Sequence, residues 1–227
     1  MDNVLVIPDL HFPFALDCIP FLQYVYGHYQ CSRVVCLGDE LDMHSMSKFP
    51  ADPDGLSPAY EFREGKEKMK ELFSIFPSGD IVQSNHQMRP YKKAFLSGLP
   101  SDFLQPYQRA LEMPDSWIFH DKIVIDDVLY FHGEGFSGKN GALTACEKYR
   151  RSVVIGHLHS FGGVTYLQDK ISGKKIFGMN AGWLGDETQY VFKYAKNIPY
   201  AGTTGCGVVI KGKAAYFIPW EAYEGIY

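Results

Sequence analysis

Short apolar runs alternate with helix-period stretches over the first third of the chain. Val4–Ile7 is an apolar run that predicts a strand. From about Asp17 the period lengthens, with Leu22, Val25, Tyr26 and Tyr29 at i, i+3, i+4 and i+7 on one helix face. Arg33–Leu37 predicts a second strand, ended by Gly38. Ser57-Pro58 is a cap-and-first-turn pair and opens a long charged helix to about Phe76, with Phe62, Met69, Leu72, Phe73 and Phe76 as its buried stripe. After Pro77-Ser78-Gly79, Ile81–Ser84 predicts a third strand. The β-α-β-α-β order implies parallel pairing with right-handed crossovers.

The second half changes period. Ile123–Ile125 and Val128–Phe131 flank Asp126-Asp127, Val164–Leu167 and Lys175–Met179 flank Ser172-Gly173, and Val208–Ile210 and Ala214–Phe217 flank Lys211-Gly212-Lys213. Each reads as a hairpin. One more helix fits between about Asn140 and Arg151, before a strand at Val153–Ile155. A mixed sheet or a pair of sheets with helices outside follows. No repeat or linker-like shift divides the chain, so residues 1–227 read as a single domain. Segments 43–57 and 183–205 read as long loops, the places where function often sits.

Composition narrows the classes. A charged fraction of 21% with 46% hydrophobic residues excludes a disordered chain. No apolar run approaches the roughly 18–20 residues that span a bilayer, so no membrane partner is expected. Met1-Asp2-Asn3 carries no positive charge and the first apolar run stops at Pro8, unlike a secretory signal. The net charge of -4 gives no bulk attraction for polyanions, so a nucleic-acid partner would need a local basic groove. The five cysteines are scattered, without a Cys-x-x-Cys pair, and read as reduced, buried thiols of a cytoplasmic protein.

Metal-binding side chains gather where the apolar runs stop. Asp9 and His11 follow the first strand, Asp39 and Asp42 the second, Asn85-His86 the third, His132 the fourth, and His157 and His159 the fifth. In parallel-rich sheets, sites form outside the carboxyl ends of strands. In extended backbone i and i+2 share a side, so Asp9 with His11, and His157 with His159, can address one centre. Mixed His, Asp and Asn donors suit first-row ions, manganese first, with iron, zinc, cobalt or nickel as alternatives; they do not suit calcium. The set exceeds what one ion can hold, and two ions about 3.5–4 Å apart, bridged by a carboxylate, would use it. His28 and His120 read as surface or packing residues. Arg89 is a candidate bidentate phosphate donor, or else an exposed arginine beside Pro90.

The series Asp9-x-His11, Gly38-Asp39-x-x-Asp42, Asn85-His86, His132 and Gly156-His157-x-His159 resembles the calcineurin-like metallophosphoesterases, in particular their small stand-alone bacterial and phage members. The resemblance covers residues 9 to 159, and Asn180-Ala181-Gly182-Trp183 is similar to a segment that follows the family's last motif. It implies an α/β fold, a four-layer α/β/β/α sandwich of two mixed sheets with flanking helices. It implies Asp9, His11 and His159 on a first metal, Asn85, His132 and His157 on a second, and Asp39 as the bridge. It further implies His86 as the catalytic histidine and Asp42 as the carboxylate orienting it. Two positions depart from the family's pattern: Ser84 stands where glycine is usual, and Gln87 where an acid is usual.

The expected chemistry is hydrolysis of a phosphate ester by a hydroxide bridging two divalent metals, with His86 protonating the leaving oxygen. A phosphodiesterase or nuclease comes first. A phosphomonoesterase acting on phosphoproteins or nucleotides uses the same residues, and a non-catalytic scaffold of this fold is the reading from another class. Aromatic residues of the 183–205 rim (Trp183, Tyr190, Phe192, Tyr194, Tyr200) are candidates to stack bases, with loop packing as the plainer role.

Overall fold

In the computed structural model of the chain, residues 1–48, 50, 52–192 and 201–224 are described. The first third folds as its periodicity predicts: β1 (Asn3–Ile7), α1 (Ile19–His28), β2 (Arg33–Cys36), α2 (Pro58–Ile75) and β3 (Gly79–Val82). Ser57 caps α2, its side chain accepting from the Tyr60 N–H, with Pro58 in the first turn. β3 starts two residues before the apolar run because Gly79 and Asp80 already pair with Trp117 and Ile118. A region without clear periodicity follows: α3 (Arg89–Leu96), the single turn α4 (Tyr107–Ala110) and β4 (Trp117–His120). β4 was not legible as a strand. It is held at the sheet edge by Trp117, whose side chain is buried against Phe73 and donates from Nε1 to the Phe76 carbonyl at 2.8 Å. Burial of an aromatic of this size contributes on the order of 2–3 kcal/mol.

β5 (Ile123–Ile125) and β6 (Val128–Phe131) form the expected hairpin, with Asp126 and Asp127 both at positive φ as a two-residue hairpin turn requires. Then come α5 (Gly141–Tyr149), β7 (Ser152–Ile155), the hairpin β8 (Gly162–Gln168) and β9 (Lys175–Ala181), the hairpin β10 (Gly205–Ile210) and β11 (Ala214–Pro219), and the short α6 (Glu221–Glu224). One sheet has the order β11-β10-β1-β2-β3-β4, parallel from β1 to β4. The other has the order β5-β6-β7-β9-β8, parallel across β6, β7 and β9. Both sheets are therefore mixed.

Strand alternation sorts side chains into layers. Leu5, Ile7, Val34, Cys36 and Ile81 meet α1 and α2. Val4, Val6, Val35, Leu37 and Val82, on the opposite face, meet Val128, Tyr130, Val154 and Met179 of the second sheet. Leu129, Phe131, Val153 and Ile155 turn outward onto Ala142, Ala145 and Cys146 of α5. The result is helix, sheet, sheet, helix. All five cysteines are free and buried. Among the described residues no helix is long and apolar enough to cross a membrane.

Candidate metal centre

β1, β2, β3, β6 and β7 all end at one rim of the sandwich, and the chain turns sharply there. His11, Asp39 and His157 lie at positive φ (56°, 47° and 66°), which costs side-chain-bearing residues free energy and persists where the surroundings fix it. Gly38 is also left-handed (φ 88°); a Cβ there would meet the Ser84 Cβ at 2.5 Å. The unusual Ser84 fills that space and its Oγ accepts from the Asp39 N–H at 2.9 Å, so this departure holds the second strand end in place.

The nine predicted metal and catalytic residues converge. Asp9, His11, Asp39 and His159 form one donor group, and Asp39, His132 and His157 another, with ligand atoms within 4.8 Å of each other in each. Asn85 joins the second, its Oδ1 2.8 Å from His132 Nε2. Asp39 belongs to both. Asp9 Oδ2 faces His159 Nε2 at 3.0 Å and accepts from the His157 backbone N–H at 2.8 Å. Asp9, His11, Asp39 and His132 are buried, while Asn85, His157 and His159 are half-buried and face a cleft of about 310 Å³.

Two histidines are oriented from behind. His11 Nδ1 bonds Asp42 Oδ2 at 2.8 Å, and His132 Nδ1 bonds the Leu37 carbonyl at 2.9 Å, so each presents Nε2 to the centre. Burial lowers the basicity of both, but the carboxylates win. Asp42, with Asp39 and Asp9, raises His11; Asp39, Asp9 and the Leu37 carbonyl raise His132 to about 10. Burial pushes Asp39 up, yet the charge and hydrogen bond of His132 pull it well below the usual carboxylate range. Asp42, against the same burial, is held at about 2 by its bond to His11.

This placement corrects the expected role of Asp42. Its carboxylate lies near His86, but the hydrogen bond goes to His11, whose Nδ1 reaches it first. His86 Nε2 instead accepts from Arg89 Nη2 at 2.7 Å, while Arg89 Nη1 donates to the Asp42 carbonyl at 2.7 Å and to Oδ1 at 3.3 Å. Arg89 is thus neither exposed nor free in the cleft. A guanidinium only donates, so His86 is neutral and carries its proton on Nδ1. Burial lowers its pKa to about 3, outweighing the pull of Asp39. Arg89 also fills, with its own positive charge, the group formed by His11, Asp42 and His86.

Sequence reasoning missed a second layer. Glu40, pointing the opposite way from Asp39, is buried and accepts from Gln87 Nε2 at 2.9 and 2.8 Å and from the Tyr107 hydroxyl of α4. Gln87 Oε1 accepts from the Ser84 N–H at 2.7 Å, which fixes the turn bearing Asn85 and His86. The charge absent at Gln87 is therefore supplied by Glu40. Buried Glu61 of α2 likewise accepts from the Ser45 N–H at 2.9 Å and from the His44 N–H, holding the turn after Asp42. The signal for both was an acid inside an otherwise apolar pattern.

The remaining candidates are not donors of the centre. His120 pairs with Asp80 at 2.8 Å and His28 stacks on Tyr24, as packing roles require. Trp183 and Phe192 are buried with Phe14 and Val191, and the Tyr190 hydroxyl accepts from the Leu56 N–H, so these rim aromatics pack rather than offer faces to bases. Tyr194 and Tyr200 lie outside the described residues.

The donors could hold a metal ion. Asp9 Oδ1 is buried without a hydrogen-bond partner among the described residues, a costly arrangement for a carboxylate oxygen. His11 Nε2 and His159 Nε2, and His132 Nε2 and His157 Nδ1, approach at 3.1 Å, where imidazole nitrogens need a proton or a cation between them. Compared with protein-family models, curated proteins and solved structures, the chain matches none, and the site is read from its own chemistry.

Proposed function

We propose that this protein is a metal-dependent hydrolase of phosphate esters, acting first of all on diesters or nucleic acid, in the manner of the calcineurin-like metallophosphoesterases that its motifs resemble. The observation that carries this reading is the sharing of Asp39 between two donor groups, the arrangement two neighbouring cations need. Asp9, His11, Asp39 and His159 would hold one ion, and Asp39, Asn85, His132 and His157 the other; manganese suits these donors, as do iron, zinc, cobalt and nickel. Bound there, the pair would supply an activated water and neutralise charge on a phosphoryl group.

The chain's own residues do the rest. Among the described residues, those that line the cleft are Asp39, Asn85, His86, His157, Leu158, His159, Ser160 and Phe161, a neutral-to-acidic lining that suits a singly charged diester better than a dianionic monoester. Arg89 stands behind His86, and a phosphoryl anion entering the cleft competes for its guanidinium. Release of His86 Nε2, next to new negative charge, raises the ring's basicity and lets it carry a proton to the leaving oxygen.

A panel assay with manganese tests the reading. The substrates are bis-nitrophenyl phosphate, nitrophenyl phosphate, 2′,3′-cyclic nucleotides, and single- and double-stranded DNA. Faster turnover of the bis-ester than of the monoester is expected. The reverse order moves the assignment to a phosphomonoesterase, and silence on all substrates with metal bound moves it to a scaffold.

A further inference from the structure

The side chain of Trp183 touches two histidines of the centre without donating to it. The indole of Trp183 stacks on the His159 ring at 4.8 Å with an interplanar angle of 8°, and meets His11 edge-on at 6.0 Å. Its slot is built to fit: a Cβ at Gly185 would lie 2.2 Å from Cζ3, and one at Gly202 would lie 2.0 Å from Nε1. The indole Nε1 is buried with no hydrogen-bond partner among the described residues, so the ring is not there to donate. Its main chain serves the same residues. Trp183 bridges Asp9, Leu184 N–H donates to the Asp9 carbonyl at 2.8 Å, and Thr203, which accepts from Trp183 N–H, donates to the His159 carbonyl at 2.7 Å.

His159 needs such support. Its side chain is 25% exposed, against 1% for His11 and 2% for His132, and among the described residues it has no carboxylate or carbonyl behind the ring of the kind those two have. A flat aromatic face restricts its rotation, and its negative quadrupole favours an imidazole whose charge is positive or shared with a cation.

We propose that Trp183 is a positioning residue for His159 and sets the affinity of the Asp9–His11–His159 half of the centre, leaving the Asn85–His132–His157 half unaffected. The inference rests on the metal-centre reading above. The test is an equilibrium titration of the metal-stripped full chain with manganese, read by calorimetry, with thermal melting in chelator as the folding control. Trp183→Leu is expected to weaken one of two sites about tenfold, the size of an aromatic pair, and to leave the other within about twofold. Trp183→Phe keeps an aromatic face and is expected to restore most of that loss. Gly202→Ala retains the tryptophan but displaces the indole, and carries the same expectation if Trp183→Leu fails to fold. In a His159→Ala background either change is expected to add nothing. Equal loss at both sites, no loss at either, or an additive effect without His159 overturns the inference. A wild-type chain that binds no manganese overturns the metal-centre reading itself.

Discussion

The two halves of the centre share Asp39 but are held by different means. On the His11 side the supports are side chains: Asp42 behind His11, and Trp183 and Phe192 around the rings. On the His132 side the ring is held by main chain, the Leu37 carbonyl, the turn bearing Asn85 is held by Gln87, and among the described residues His157 has no aromatic partner beyond His132 itself. A half built on side chains can be loosened by one substitution behind it. A histidine held by a main-chain carbonyl, as His132 is, has no such side chain behind it to remove. Both anchored histidines, His11 and His132, hold their protons more tightly than usual, while within the His132 half burial and the nearby His132 charge lower His157.

The largest effect is expected where the halves meet. Asp39→Asn removes the shared carboxylate charge and should abolish loading of both halves, seen as less than half an ion per chain by elemental analysis. His86→Ala should leave metal content unchanged and lower turnover of alkyl phosphodiesters about 10²–10⁴-fold, the usual worth of a positioned acid. Nitrophenyl esters, whose leaving group needs little protonation, should lose much less; equal loss on both removes the acid role. Asp42→Asn should weaken only the His11 half, by about 10–100-fold, because it removes the partner that fixes that tautomer. A uniform loss across both sites in calorimetry would show that the halves are not separately supported.

Proton competition sharpens the same contrast. His132 binds its proton more tightly in the folded than in the unfolded chain, so metal-free protein draws stability from it below about pH 6.5 and loses that stability as pH rises toward 10. Metal affinity should rise across that window, because loading displaces the proton. Melting curves with and without manganese should therefore diverge as pH increases. The smallest effect is expected at the layer beneath: Tyr107→Phe leaves Glu40 with the Gln87 bonds alone and should cost about 1–3 kcal/mol of stability, with metal content intact.

Much of this was legible because the relevant signals are local. Apolar runs gave β1, β2, β6 and β7, and the acids and histidines after them gave the donors, since a strand's end fixes where its next residues go. β4 was not legible, because four residues flanked by turns carry too little period, and its place is set by Trp117 reaching α2. The partner of Asp42 was misassigned for a similar reason. Sequence order places Asp42 near both His11 and His86, and only packing decides which ring nitrogen it meets. Glu40, Gln87 and Tyr107 form a network across 67 residues of chain that no spacing rule connects.

The most direct test of a paired metal centre is the stoichiometry of the reconstituted wild-type chain, counted by elemental analysis after loading with manganese and removal of excess. Two ions per chain, falling together in Asp39→Asn, is the expected result. A single ion, or two that survive loss of the Asp39 carboxylate, would contradict the shared-ligand arrangement.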